Sequence, residues 1–290
     1  MVTTDHDHPL PDEAAAVLPD DGREVARMPG HWMLGRLGKR VLRPGGLELT
    51  RWMLDALAVG PDDKVVELAA GLGATARLTL ARAPAAYTAV DRDPAAVARL
   101  RTLTSPGPTE IHVVRADAAN SGLPAGCATV VYGEAMLSMQ PEPAKRRVVG
   151  EARRLLGEAC GRYAIHELCL VPDDIDPALA EEITADLGGA MHVGARPLTA
   201  TGWSEVLTDA GFTVTSLRTA PMALLEPRRL VADEGLTRAL AIAGRVVRDP
   251  AARRRVRHMR STFHRHRDHL CAISLLAAPT AAGTQQGAPA

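Results

Sequence analysis

The apolar positions in the middle of this chain form short continuous runs and do not alternate with polar ones. Residues 64–70 are apolar apart from Lys64 and Glu67, and Val65 and Val66 are β-branched. A strand with so few polar positions is typical of a parallel sheet that is covered on both faces. A second apolar run, residues 87–90, follows after the length of one helix and a return turn. The pattern predicts an α/β fold.

A turn that contains glycines follows the first of these runs. Gly71 and Gly73 lack side chains where the backbone has to turn and where a ligand would approach closely. Asp91 ends the second run, eighteen residues after Gly73. Its carboxylate is therefore expected at the carboxyl edge of the sheet, where it can accept hydrogen bonds from two ribose hydroxyls. These features predict a site for a nucleotide-type cofactor.

Two cofactor classes fit this outline, dinucleotides and S-adenosylmethionine. The dinucleotide fingerprint G-x-G-x-x-G has Ala76 in its third glycine position here, which some dinucleotide folds accept. Glu67 at the end of the first strand favours S-adenosylmethionine, because a carboxylate repels a pyrophosphate and attracts an ammonium and a sulfonium. A dinucleotide-dependent oxidoreductase remains an alternative that Glu67 disfavours.

The pattern E-x-A-x-G-x-G, from Glu67 to Gly73, resembles the first motif of the class I S-adenosylmethionine-dependent methyltransferases, with Ala69 in place of the first glycine. Later segments resemble, in order, the family's second to fifth strands. These segments are AVDRDPAAV around Asp91, residues 111–124, residues 128–139 and residues 151–170, where Glu158-Ala159-Cys160-Gly161 replaces the usual Pro-Gly-Gly turn. The match spans residues 59–212 and is most similar to the quinone-biosynthesis-type branch, which acts on small molecules.

This resemblance implies a doubly wound, mostly parallel seven-stranded sheet, the Rossmann-like methyltransferase fold, with helical lid insertions. S-adenosyl-L-methionine is the implied cofactor, with Asp91 on its ribose and Asp117 and Ala118 near its adenine. The residues that the resemblance assigns to the cofactor site are Glu67, Ala69, Gly71, Gly73, Asp91, Arg92, Asp117, Ala118 and Glu134.

Methyl transfer by direct displacement needs a base only if the acceptor loses a proton near the transition state. His166 and Glu167 are the candidate catalytic residues, because the end of the fifth strand faces the acceptor in this fold. The alternative is that one makes a strand-end hydrogen bond while the other is solvated. The candidate substrate-binding residues are Trp32, Met136, His192 and Arg196, and a surface position is the alternative for His192 and Arg196.

The methyltransferase domain is predicted to span residues 59–278, and three kinds of segment do not fit its core pattern: the two tails, an N-terminal segment and two insertions within the domain. The tails, residues 1–25 and 279–290, are predicted to be disordered. Residues 26–58 are predicted to form a helical segment, and the resemblance implies that it covers the cofactor. Residues 171–197 and 220–268, here called the first and the second insertion, are too long for loops and are predicted to form helices of a lid over the site.

Composition restricts the partners and the compartment. Lys plus Arg and Asp plus Glu both total 34, so no overall charge recruits nucleic acid, and the basic run at residues 252–270 has a single aromatic residue, Phe263. The four cysteines form no C-x-x-C pair, and the chain shows no membrane span, signal peptide or metal-ligand pattern. We therefore predict a cytoplasmic enzyme that methylates a small molecule. A homodimer is compatible with this prediction. A non-catalytic cofactor-binding regulatory or interaction protein of the same fold is the alternative.

Overall fold

The computed structural model describes residues 24, 25, 27–157 and 161–280. The predicted disordered tails lie almost wholly outside these residues, as do Glu158, Ala159 and Cys160 of the turn before the fifth strand. The strands are β1 Lys64–Leu68, β2 Ala86–Asp91, β3 Glu110–Arg115, β4 Val130–Glu134, β5 Arg162–Leu170, β6 Leu198–Thr199, β7 Phe212–Pro221 and β8 Leu270–Pro279.

All of these strands belong to one sheet with the order β3-β2-β1-β4-β5-β8-β7, and β6 pairs with β5. Strands β1 to β6 pair in parallel, whereas β8 runs antiparallel to both β5 and β7. The predicted doubly wound, mostly parallel sheet is confirmed. It has eight strands and not seven, because Leu198 and Thr199 add a two-residue strand opposite Cys169 and Leu170.

Ten helices accompany the sheet in the described part of the chain. They are α1 Gly30–Arg36, α2 Gly46–Ala56, α3 Ala74–Leu80, α4 Pro94–Leu100, α5 Glu142–Leu156, α6 Pro177–Met191, α7 Ala200–Asp209, α8 Pro227–Glu234, α9 Leu236–Arg248 and α10 Pro250–Arg265. The first insertion contains α6, and the second contains α8, α9 and α10. None of the described helices is both long enough and apolar enough to cross a membrane.

Apolar side chains cover both faces of the sheet, as a parallel sheet requires. One buried cluster joins β1, β4 and β5 to α5 and α7, and a second joins β1 and β2 to α2 and α3. A third cluster lies beyond the carboxyl edge of the sheet and includes Met33 of α1, Ile183 and Leu187 of α6, and Met259 and Phe263 of α10. The N-terminal helix and both insertions therefore share one apolar core beside the site.

Candidate functional site

A cavity of about 760 Å³ opens where the parallel strands β1 to β5 end. The segments that follow these strands form its floor, and residues of the N-terminal segment and the insertions, such as Trp32, Met191 and Leu224, line its other side. The reversal of strand order between β1 and β4 places the cavity at the topological switch point, where open α/β sheets bind their ligands.

Asp91, the last residue of β2, is hydrogen-bonded to the turn that follows β1. One of its carboxylate oxygens accepts a hydrogen bond from Gly71 N at 2.8 Å, and the other accepts one from Asp93 N at 2.9 Å. Burial raises the pKa of Asp91 above its usual value, although these backbone hydrogen bonds act in the opposite direction. The side chain lines the cavity and retains acceptor capacity for further hydroxyl donors.

The two glycines of the turn have different surroundings. A Cβ on Gly71, whose φ is +56°, would meet no other protein atom closer than the Ala69 carbonyl oxygen at 3.9 Å, and Gly71 lines the cavity. A Cβ on Gly73, whose φ is +74°, would lie 3.3 Å from Leu100 of α4. The cavity lining includes Ala69 and Gly71 but not Gly73. Gly73 therefore serves the backbone turn into α3, and Gly71 keeps the cavity open.

Glu67 lies at the bottom of the cavity, between two tyrosines. Its Oε2 accepts hydrogen bonds from the hydroxyls of Tyr87 and Tyr132, the latter at 2.8 Å, and Tyr132 is also 2.7 Å from Thr79. Burial raises the pKa of Glu67 to about 8, against the effect of the tyrosine hydrogen bonds. Glu67 was expected to carry a negative charge, but without a ligand its carboxyl group is mostly protonated at pH 7.

Asp117, Ala118 and Arg92 lie on a more exposed side of the cavity, and all three line it. Asp117 accepts a hydrogen bond from Ala119 N at 2.8 Å, which fixes the turn after β3. Arg92 and Asp117 are 3.9 Å apart, with 74% and 57% of their side chains exposed, so they remain available to a ligand.

Glu134, at the end of β4, accepts hydrogen bonds from four side chains. The donors are Arg43 at 2.9 Å, Thr50 at 2.6 Å, His166 at 2.7 Å and Thr75. Burial acts to raise the pKa of Glu134, but the charge of Arg43 and the contact with His166 outweigh it and lower the pKa to about 2. The carboxylate joins the N-terminal segment, α2, α3 and β5 at one point.

His166 does not line the cavity, contrary to the sequence prediction of an acceptor-facing base. The ring is fully buried, with Nε2 2.6 Å from the carbonyl oxygen of Pro44 and Nδ1 2.7 Å from the Glu134 carboxylate. A carbonyl and a carboxylate both accept hydrogen bonds, so neither ring nitrogen presents a free lone pair to a substrate. The geometry makes His166 a positioning residue.

Glu167 lines the cavity, but its carboxylate is already hydrogen-bonded to the loop that follows β4. Its carboxylate accepts hydrogen bonds from the backbone N–H groups of Met136, Leu137 and Ser138 at 2.7 to 3.0 Å, and from the Ser138 hydroxyl at 2.7 Å. Burial raises its pKa above the ordinary value. The side chain holds this loop, and with it Met136, against the cavity.

The other side of the cavity is mostly apolar and includes methionines from several elements. Its residues include Trp32, Leu42, Met136, Met139, Met191, Met222 and Leu224. Two predicted substrate residues are not among them. His192 is exposed and ends α6 with a φ of +55°, while the exposed Arg196 is held by its backbone, whose N–H donates to the Ser138 carbonyl at 2.6 Å. Neither His192 nor Arg196 lines the cavity.

Arg43 is a site residue that the sequence argument did not identify. It lines the cavity, is 7% exposed, and uses Nη1 for Glu134 and Thr75. Its Nε and Nη2 are buried and have no hydrogen-bond partner among the residues that the structure describes. Buried guanidinium donors without partners are unfavourable, so this arrangement fits an anionic group that arrives with a ligand. The only signal in the sequence was the break in helical periodicity at Arg43-Pro44-Gly45-Gly46.

Comparison with known sequences finds a matching domain family and a relative that covers most of the chain. A family model described as a methyltransferase domain matches residues 65–159, from β1 to the end of α5. An uncharacterised protein of Haemophilus influenzae is 32% identical over 248 residues, which cover 84% of this chain and 96% of that protein.

Two solved structures have the same fold at low sequence identity. Phosphoethanolamine N-methyltransferase 2 of Haemonchus contortus, in complex with phosphomonomethylethanolamine and S-adenosylhomocysteine, has a TM-score of 0.62 at 13% identity, over 86% of this chain and 57% of that one. The cyclopropane synthase MmaA2 of Mycobacterium tuberculosis has a TM-score of 0.59 at 15% identity, over 80% of this chain and 83% of that one. Such identities show the fold alone.

Proposed function

The chain belongs to the class I S-adenosylmethionine-dependent methyltransferases, and from this premise we propose that it methylates a small, largely apolar molecule in the cytoplasm. The observation that carries the proposal is the division of one cavity into a polar side at the strand ends and an apolar, methionine-rich side beneath the insertions. An apolar acceptor also agrees with the similarity to the quinone-biosynthesis-type branch. Nucleic acid fits this enclosed apolar side poorly.

S-adenosyl-L-methionine is the cofactor, and it supplies an electrophilic methyl group on a sulfonium. We assign Asp91 to the ribose hydroxyls, and Asp117 and Ala118 to the adenine side. Glu67 is assigned to the cationic part of the cofactor. The unpartnered Nε and Nη2 of Arg43 fit the carboxylate of its methionine portion, because a guanidinium binds a carboxylate through two parallel hydrogen bonds.

The apolar side of the cavity is proposed to bind the acceptor. Trp32 and Met139 offer a flat and an adaptable apolar surface, and Met191, Met222 and Leu224 extend it beneath the insertions. A flexible methionine lining accommodates irregular apolar shapes, so shape and apolar area would select the acceptor more than a fixed set of hydrogen bonds.

Orientation and exclusion of water supply the acceleration in this proposal. Glu134 and His166 hold the strand ends and the N-terminal segment in place, and Glu167 holds the loop after β4. None of the three is assigned to proton transfer, because their hydrogen-bonding atoms are already used by the protein. A protonated acceptor atom would release its proton to water as the site opens.

The test is acceptor-dependent release of S-adenosylhomocysteine from purified protein. A panel of aromatic and isoprenoid phenols, thiols and amines is compared with polar analogues of the same reacting group. The proposal predicts turnover with apolar members that falls at least tenfold when the body of the acceptor is made polar. Binding of S-adenosylmethionine without turnover of any member would instead support the non-catalytic alternative.

Trp32→Ala and Met139→Gln provide a second arm of this test. Both should raise the KM for the acceptor several-fold while the affinity for S-adenosylhomocysteine changes less than twofold. Val231→Gln, at a 40% exposed position on α8, serves as the control for both variants.

A further inference from the structure

Two cysteines lie opposite each other on the antiparallel strands β5 and β8. Cys169 pairs with Cys271 in the register of these strands, so the two side chains lie on the same face of the sheet. Two positions further along, Val171 N donates to the His269 carbonyl at 3.1 Å. Because hydrogen-bonded pairs alternate along an antiparallel ladder, Cys169 and Cys271 form such a pair, with Cα atoms about 5.5 Å apart. Disulfides bridge Cα separations of this size.

The two thiols differ in accessibility. Cys169 is fully buried, whereas Cys271 is partly exposed. The Cys169 thiol donates a hydrogen bond to the Leu170 carbonyl oxygen at 3.3 Å, which leaves its sulfur facing the neighbouring strand. An oxidant therefore reaches the partly exposed Cys271 sulfur first, while the protected Cys169 sulfur opposite it can resolve the product.

We propose that Cys169 and Cys271 are a redox modification site, where hydrogen peroxide produces a reversible disulfide. The Cys271 thiolate attacks one peroxide oxygen, the O–O bond breaks, and the leaving hydroxide takes a proton to become water, which leaves a sulfenic acid. The Cys169 sulfur then attacks the Cys271 sulfur, an S–S bond forms, and the sulfenic oxygen leaves as a second water with the Cys169 proton. Two thiols are oxidised and one peroxide is reduced.

The position of the pair connects this chemistry to both insertions. The first insertion begins two residues after Cys169, and the second ends three residues before Cys271. On the same strand, Glu167 holds the loop after β4. A disulfide would cross-link the two points from which the helices beside the cavity leave the sheet. Formation of the bond does not depend on the proposed function.

The experiment uses full-length protein in which the other two cysteines are replaced, Cys127→Ser and Cys160→Ser. Peroxide should reduce its intact mass by about 2 Da, the loss of two hydrogens, and dithiothreitol should restore the mass. Peptide mapping should find Cys169 and Cys271 linked within one chain. Cys169→Ser and Cys271→Ser, each in the same background, are matched controls that should show no such loss.

If a serine variant fails to fold, peptide mapping of the peroxide-treated wild-type protein still tests the proposal. The proposal is overturned if Cys271 accumulates as a sulfinic acid with no linked peptide. It is also overturned if the linkage joins two chains, or if peroxide that oxidises Cys127 leaves Cys169 and Cys271 as free thiols.

Discussion

Glu67 holds a proton in the ligand-free protein at neutral pH, because burial between Tyr87 and Tyr132 raises its pKa to about 8. The unfolded chain releases this proton near the ordinary pKa of 4.5. The folded state therefore binds more protons between these two values. It follows that the contribution of Glu67 to stability is complete below about pH 4.5 and is lost as the pH rises towards 8.

Glu67→Gln isolates this effect, because the amide cannot ionise. Relative to the variant, the wild-type protein should lose about 2 to 3 kcal/mol of unfolding free energy between pH 6 and pH 8. Urea unfolding of both proteins at the two pH values measures the difference. A difference between wild type and variant that does not change with pH would show that Glu67 is already ionised at pH 6.

Cofactor binding should depend on the same proton of Glu67, but the affinity for the cofactor should rise with pH where the stability falls. A cation beside Glu67 favours the carboxylate, so the affinity for S-adenosylmethionine should rise by up to about tenfold per pH unit below pH 8. In Glu67→Gln this rise should disappear and the affinity should be weak throughout. Calorimetry in buffers with different ionisation enthalpies should detect a released proton only in the wild type.

Arg43 offers the sharpest test of the cofactor's carboxylate contact. Arg43→Lys keeps a positive charge near Glu134 but removes the second pair of donors, so affinity for S-adenosylmethionine should fall about tenfold or more. Arg101→Lys, an exposed position at the end of α4, should leave affinity unchanged. Equal affinities of wild type and Arg43→Lys would assign the unpartnered guanidinium atoms to the acceptor or to water.

At the scale of elements, the strands were predictable and the contacts between distant segments were not. The predicted second insertion, residues 220–268, lies between β7 and β8 with bounds that differ by at most two residues, because apolar runs and turn residues are local signals. The hydrogen bonds of Glu134 to Arg43, Thr50 and Thr75 join positions that are 59 to 91 residues apart, and no local pattern records them. The two-residue β6 was missed because it exists only through its pairing with β5.

The prediction that His166 and Glu167 are catalytic was limited in the same way, because a local pattern does not record contacts with distant segments. His166 and Glu167 were expected at the end of the fifth strand, but β5 continues to Leu170. Their roles depend on Pro44 and on the loop after β4, which approach them only in the folded chain. Sequence position could therefore identify two polar residues near the site. It could not show that the protein already uses their hydrogen-bonding atoms.

The turn between β1 and α3 provides a matched pair of variants. Gly71→Ala and Gly73→Ala both force a side chain into a positive φ, at a cost of about 1 to 2 kcal/mol each. Only the Gly71 side chain would project into the cavity. Gly71→Ala should therefore weaken S-adenosylhomocysteine binding at least tenfold, whereas Gly73→Ala should mainly lower the melting temperature, since its Cβ meets Leu100 at 3.3 Å. The reverse order of effects on binding would contradict the placement of the cofactor.

At the scale of the whole molecule, the third apolar cluster joins α1, α6 and α10 into one body beside the cavity. If this body acts as a lid, it should become more ordered when the site is filled, because closure excludes water from the displacement. Hydrogen exchange should slow in α6, in α8 to α10 and around Trp32 when S-adenosylhomocysteine and an acceptor are both bound. Protection limited to the regions of Gly71, Asp91 and Asp117 would mean that the insertions do not close.

The central claim is that this cavity binds S-adenosylmethionine through the ends of β1 and β2. Calorimetric titration of the wild-type protein and of Asp91→Asn with S-adenosylmethionine, S-adenosylhomocysteine and NADH tests it most directly. The account predicts one site per chain for the first two ligands, no binding of NADH, and a loss of about 2 to 4 kcal/mol of binding free energy in the variant with its fold intact. Binding of NADH, or equal affinity of wild type and Asp91→Asn for S-adenosylmethionine, would contradict the account.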